Sequence, residues 1–111
     1  MKIGKRRNDK NCLYPHNSES MKHWLIKAII FKLLYDCNRI VRTETEIDGY
    51  IVDILDESNL IAYEVETKIK NGKIEERVKK LWKLHDVFII DVQKVPDWID
   101  AAVEYLKKKI V

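Results

Sequence analysis

Four ionisable residues close together carry most of the chemistry this sequence offers. Asp53 sits inside Ile51-Val52-Asp53-Ile54-Leu55, and Glu64, Glu66 and Lys68 belong to Ala62-Tyr63-Glu64-Val65-Glu66-Thr67-Lys68. Side chains alternate along an extended strand, so Ala62, Glu64, Glu66 and Lys68 share one face and Ile61, Tyr63 and Val65 the other. An aspartate within an apolar run breaks the local pattern, and such breaks concentrate at functional sites. Carboxylates held together repel and resist burial unless a cation lies among them. A hard divalent ion, Mg²⁺ or Mn²⁺, would turn Asp53, Glu64 and Glu66 into a ligand set. Such an ion activates water and offsets charge growing on a phosphodiester. Lys68 would then hold the attacking water and the phosphoryl oxygens. The competing reading is a solvated strand face whose cross-strand charge pairs contribute about 0.2–1 kcal/mol each.

Whether Asp53 joins the other acids depends on the loop between the two strands. A two-residue turn at Ser58-Asn59 puts Asp53 directly opposite Glu64. A four-residue turn over residues 56–59 puts it opposite Ala62, still on the same face. An odd-length loop would send it to the other side, because a one-residue slip flips every side chain. Asp48 is a rival for the aspartate's place, but Asp48-Gly49 reads first as a hairpin turn.

The elements that must position these residues follow in order. Ser18, Glu19 and Ser20 offer helix caps ahead of residues 21–36, which are apolar around most of the circumference. Trp24, Leu25, Ala28, Ile29 and Leu33 are expected to be buried there. Residues 39–47, 50–55 and 60–68 read as three strands of a meander. Ile74, Val78, Leu81 and Trp82 recur at helical spacing after Asn71-Gly72. Residues 87–92 are nearly all apolar, as expected of a strand buried on both faces. Pro96-Asp97 opens a last helix with Asp97 and Asp100 in its first turn and Lys107 to Lys109 in its last, both favourable to the helix dipole. Its buried stripe is read as Ile99, Val103, Leu106 and Ile110. The order α-β-β-β-α-β-α predicts an α/β fold with a central mixed sheet flanked by helices.

With 111 residues there is room for one core, and 46% apolar against 35% charged residues suits a globule. We divide the chain into a basic, flexible arm over residues 1–17 and a single domain over residues 18–111. The net charge of +3 argues little for a nucleic-acid partner. Its distribution argues more, since Lys2, Lys5, Arg6, Arg7 and Lys10 crowd the arm against Asp9 alone. Such an arm could lie along DNA phosphates or serve only as a solubilising tail. No apolar run approaches the roughly 20 residues of a membrane span, and the N-terminus is charged where a signal peptide is apolar, so an intracellular protein is expected. Cys12 and Cys37 lack metal spacing and read as plain thiols.

Taken together, the element order, Val52-Asp53-Ile54 and Ala62-Tyr63-Glu64-Val65-Glu66-Thr67-Lys68 resemble the PD-(D/E)XK nuclease superfamily, in particular archaeal Holliday-junction resolvases and small restriction-type nucleases. The resemblance runs from about Ser18 to Gln93. It implies a restriction-endonuclease-like fold and a Mg²⁺-dependent endonuclease. In it an aspartate on the second strand (Asp53) and a Glu-x-Lys on the third hold metal and water at the scissile phosphate. Glu64 matches the first acid of that motif, which leaves Glu66 where the lysine belongs. Either the motif is read later, as Glu66-Thr67-Lys68, or this is a Glu-x-Glu variant with Lys68 supplying the ammonium. Glu19 stands for the family's first-helix carboxylate, with helix capping as its plainer role. Gln93 falls where family members place a polar site residue.

So small a chain has little room for a separate DNA-binding module, so a homodimer is expected. Branched DNA is the substrate suggested by the resemblance. A non-catalytic nucleic-acid-binding or assembly protein on the same fold is the alternative, favoured by the Glu66 departure. His16, His23 and His85 show no metal spacing and are expected at surface or boundary positions. Trp24, Trp82 and Trp98 are expected to pack. No P-loop, GxGxxG or Ser/His/Asp set points to a nucleotide cofactor or to acyl transfer.

Overall fold

Ser20 starts the first helix, its hydroxyl accepting the His23 N–H as an N-cap. In the computed structural model, which describes residues 9–16, 18–68 and 71–110, that helix is α1 (Met21–Asp36). It is followed by β1 (Val41–Ile47), β2 (Tyr50–Asp56), β3 (Ile61–Glu66), α2 (Asn71–Lys80), β4 (Asp86–Asp91), a short 3₁₀ turn (Val92–Lys94) and α3 (Ile99–Ile110). The element order is the one the sequence predicts, and the fold is α/β with a mixed sheet.

The four strands lie in the order β1-β2-β3-β4, antiparallel for the first two pairings and parallel for β3 with β4. Asp48 and Gly49 both take positive φ, 49° and 85°, and Ile47 pairs with Tyr50 across them. This is the two-residue hairpin that Asp-Gly favours. The next connection is a four-residue loop over residues 57–60, closed by the Asp56–Ile61 pair. It lies one residue later than the four-residue turn considered above, and its register is the one expected of the two-residue turn, with Asp53 in line with Glu64. Asp56 is buried and ties this loop down, accepting from Arg39 Nη1 at 2.8 Å and from both the backbone N–H and the side-chain amide of Asn59.

Each face of the sheet carries its own core. On one side Ile26, Ile30 and Leu34 of α1 and Ala102, Leu106 and Ile110 of α3 pack on Val41, Ile54, Tyr63, Val65 and Ile90. On the other, Leu81 and Leu84, just past α2, pack on Ile47, Val52, Leu55 and Ala62.

Several expectations change. On α1 the buried stripe is Ile26, Ile30 and Leu34 together with Lys27, while Leu25 is exposed. An evenly apolar helix does not announce which face it buries; the sheet chooses it. Residues 87–92 are not covered on both faces, since Phe88, stacked on Tyr63 at 5.6 Å, is part-exposed; among the described residues β4 pairs only with β3, at the edge of the sheet. Trp82 and Trp98 do not pack, being 73% and 82% exposed. Asp97 precedes α3 instead of opening it and pairs with Lys22 at 2.8 Å, which leaves Ile99 exposed and the stripe on Ala102, Leu106 and Ile110.

Lys5, Arg6 and Arg7 lie outside the described residues. The described part of the arm, residues 9–16, is fastened along β1. The Asn11 N–H donates to Val41 O at 2.7 Å, the Val41 N–H to Asn11 Oδ1, and the Tyr14 N–H to Thr43 Oγ1. Lys10 is exposed within it. Cys12 and Cys37 are free thiols, as expected. Among the described residues no helix is long and apolar enough to cross a membrane.

Truncating the fully buried Leu106 to Ala should cost about 2–5 kcal/mol in urea unfolding. Trp98→Ala should stay within about 0.5 kcal/mol of wild type, as exposed positions do. A large loss at Trp98 would show that this ring is covered after all.

Candidate functional site

Between β2 and β3 the backbone ladder runs only from the Asp56–Ile61 pair to the Ile54–Tyr63 pair. Beyond it the next two residues in register, Asp53 and Glu64, replace backbone pairing with side chains. Asp53 Oδ2 accepts the Val65 N–H at 2.7 Å, and Glu64 Oε2 accepts the Asp53 N–H at 3.4 Å. The two carboxylates thus clasp the strands where the ladder stops.

Opposite Asp53, the β1 residue Glu44 adopts φ 48°, a left-handed conformation costly for a residue with a Cβ. Pairing between β1 and β2 skips these two residues and resumes in the same register on either side. Alternation breaks there as well: Val41 and Ile54 join the α1/α3 core, whereas Ile47 and Val52 join the core beside α2. Asp53 sits at the point where the strands exchange faces, which frees its carboxylate to lie toward β3.

A cleft of about 720 Å³ opens at this end of the sheet. Its floor is Asp53, Glu64 and Glu66. One wall is the segment entering α1 (His16, Glu19, His23), and the other is Tyr50 with Ile74 and Arg77 of α2. Lys68 and Lys73 stand exposed at its rim.

His23 and Lys27 lie four residues apart on one face of α1, and Glu19, just ahead of the Ser20 N-cap, meets both. Glu19 accepts from the His16 N–H at 2.9 Å, from His23 Nδ1 at 2.8 Å and from Lys27 Nζ at 2.9 Å. The other ring nitrogen, His23 Nε2, donates to Val65 O at 2.9 Å and lies 3.8 Å from Asp53 Oδ2. Both ring nitrogens face acceptors, which requires an imidazolium. In accord with that, the Asp53 carboxylate raises the His23 pKa to about 9 against the opposing pull of burial, with Glu19 adding to the rise. Lys27 is fully buried, and its Nζ also lies 3.6 Å from Glu44 Oε2.

The carboxylates divide into two groups. Burial raises Glu19 and Asp53, but hydrogen bonds from His16, Lys27 and His23 to the first, and from His23 and the Val65 N–H to the second, outweigh it and leave both lowered. Burial and the neighbouring Asp53 charge push Glu64 well above the usual carboxylate range, with Arg77 pulling weakly the other way. Burial likewise raises Glu44. Among the described residues, Glu64 Oε1 and Glu44 Oε2 are buried without a hydrogen-bond partner. Within this cluster five carboxylates (Glu19, Glu44, Asp53, Glu64, Glu66) meet three cations (His23, Lys27, Arg77), and the two left short of positive charge are Glu44 and Glu64.

Of the residues singled out in the sequence, Asp53, Glu64, Glu66, Lys68 and Glu19 all line the cleft. Glu66 is held by Arg77 Nη1, and Glu19 is saturated by protein donors. Asp48 is the hairpin residue, 3.8 Å from Lys83, and Gln93 is an exposed residue of the 3₁₀ turn; neither lines the cleft. Composition and spacing passed over His23, Lys27, Arg77 and Glu44. The four-residue interval from His23 to Lys27 was the available signal, because two polar residues on one line of an apolar helix need partners, and Glu19 stands just ahead of its cap.

Among the described residues no group of three or more His, Cys, Asp and Glu side chains forms a ready-made metal site. Mg²⁺, however, is commonly held by one or two carboxylates with waters and substrate oxygens completing its shell. The Asp53–Glu64 pair, with the orphaned Glu64 Oε1, fits that demand. Compared with known proteins, the chain matches no family model, no curated protein and no solved structure.

Two substitutions test these electrostatics. His23 has a folded-state pKa above its ordinary 6.5, so its contribution to stability is full below about pH 6.5 and fades as pH rises through about 9. The stability gap between wild type and His23→Gln should therefore shrink across that window; a gap independent of pH would mean the ring is neutral. Glu64 also has a raised pKa, but here the charged form is the unfavourable one: the ionised carboxylate opposes folding above its ordinary 4.5. Glu64→Gln should melt higher than wild type near neutral pH without divalent ions and lose that advantage toward pH 4. A lower melting point at neutral pH would contradict it.

Proposed function

We propose that this chain is a metal-dependent DNA endonuclease with a restriction-endonuclease-like fold. The observation that carries the reading is the Asp53–Glu64 clasp on a cleft rimmed by cations, with Glu64 Oε1 buried and, among the described residues, unpartnered. The helix, antiparallel meander, helix and parallel fourth strand support the fold assignment.

A bound Mg²⁺ or Mn²⁺ would supply an activated water and offset charge on the phosphodiester. Asp53 and Glu64 would hold it. The Val65 N–H and His23 fix the orientation of Asp53, and Lys27 and His23 fix Glu19 behind it. Lys68, exposed at the rim, would meet the attacking water or a phosphoryl oxygen. A homodimer would present two such clefts to two strands, which suits branched DNA as substrate.

A specific observation favours the second reading, a nucleic-acid-binding protein without catalysis. The protein's own cations already engage two of the acids, His23 at Asp53 and Arg77 at Glu66.

Linear, supercoiled and four-way-junction DNA should be incubated with the protein and Mg²⁺ or Mn²⁺, with EDTA as control. Cutting should require metal and fall at least about 100-fold in Asp53→Asn and Glu64→Gln, the scale of losing one electrostatic stabiliser of the transition state. Metal-independent binding that both variants retain, with no cutting under any condition, would leave the second reading standing alone.

A further inference from the structure

Arg77 is the cation of this cleft whose placement the nuclease motif does not account for. It projects from α2 beside Ile74, both lining the cleft, while Lys79 and Lys80 of the same helix are exposed. Two contacts and one unpaired atom define it. Glu66 holds Nη1, the Tyr50 ring lies against the guanidinium with its centroid 5.6 Å away, and Nε is buried without a partner among the described residues. Glu66 engages Nη1 and the Tyr50 hydroxyl also acts on the guanidinium, so two partners meet a fork of five N–H donors and the remainder is left for another acceptor.

The other cations compare poorly. Both ring nitrogens of His23 are engaged, and Lys27 is sealed between Glu19 and Glu44. Lys68 and Lys73 stand exposed at the rim, where holding a flexible ammonium in one geometry costs side-chain entropy. A planar guanidinium braced on one edge by a carboxylate and on one face by a ring is preorganised to grip two oxygens of a phosphate.

We propose that Arg77 is the phosphate-binding residue of this cleft, contacting a nucleic-acid phosphodiester, and that Glu66 serves as its anchor instead of as a metal ligand. The inference rests on the nuclease reading for the identity of its ligand. It also gives a reason for an acid at the position where the family motif has lysine: the cation is supplied from α2, across the cleft.

Two measurements test it without relying on cleavage. The first is fluorescence anisotropy with a short labelled DNA duplex in EDTA over a salt series. Removing one phosphate contact should lower the slope of log affinity against log salt by about 0.9 and weaken binding about tenfold near 0.1 M salt for Arg77→Gln. Arg77→Lys should keep the slope but bind several-fold more weakly, because a point charge replaces the fork. Arg77→Gln with wild-type affinity and slope overturns the proposal, as does a wild-type protein that binds no duplex. Should Arg77→Gln fail to fold, Arg77→Lys decides, and wild-type affinity there overturns the proposal.

The second is thermal stabilisation by Mg²⁺ or Mn²⁺ alone. Glu66→Gln should retain the wild-type shift, whereas Glu64→Gln should lose it; loss in Glu66→Gln would return Glu66 to the metal. Duplex binding that depends on Arg77 in a wild-type protein that never cuts would refute the nuclease reading and leave the phosphate contact standing.

Discussion

Where β2 and β3 stop pairing, the Asp53 and Val65 N–H groups lose their backbone acceptors, and buried donors left unpaired cost about 1–3 kcal/mol each. The carboxylates of Glu64 and Asp53 fill that place, each taking the N–H of the facing strand. Much of this end of the molecule follows from that exchange. Two acids are forced together, Glu64 buried and Asp53 part-buried, β1 and β2 exchange faces beside them, and Glu44 is held in a left-handed conformation across from Asp53. The charge thus concentrated calls for cations, and three arrive from two helices.

The cations are not interchangeable. His23 reaches through the clasp to Val65 O and Asp53, so the N-terminal turn of α1 is fastened to the end of β3. Lys27 binds Glu19 to the core and lies near Glu44. Arg77 is drawn in from α2 by Glu66, closing the opposite wall. A buried charge with one partner removed is far more costly than the intact pair is stabilising. The network therefore holds the cleft's walls in register more than it adds to stability. What it leaves unsatisfied, Glu64 Oε1 and Glu44 Oε2, is where the protein carries electrostatic strain.

Much of this was legible locally. Asp48-Gly49 encodes its own turn, because both central positions need positive φ and these residues tolerate it. The alternation from Ala62 to Lys68 placed Glu64 and Glu66 correctly relative to one another, and an even loop sufficed to bring Asp53 into line. The isolated acid in an apolar strand was the clearest clue to the site. Where the sequence misled, it did so for want of contrast. The first helix is apolar nearly all round, so its periodicity could not identify Ile26, Ile30 and Leu34 as the inner line. The apolar run in β4 reads the same whether the strand is central or, as here, at an edge.

By itself the sequence determined what depends on neighbours along the chain: the element order, the hairpin turn, the shared face of Glu64 and Glu66, and the crowding of acids near Asp53. Local backbone sterics and side-chain alternation suffice for these. Only the tertiary structure decided which cation meets which acid. His23 and Asp53 are 30 residues apart, Lys27 and Glu44 are 17 apart, and Arg77 reaches Glu66 only because α2 folds back beside β3. Such pairings are set by how helices dock on the sheet, and docking is governed by the shape of the whole core, which no local pattern encodes.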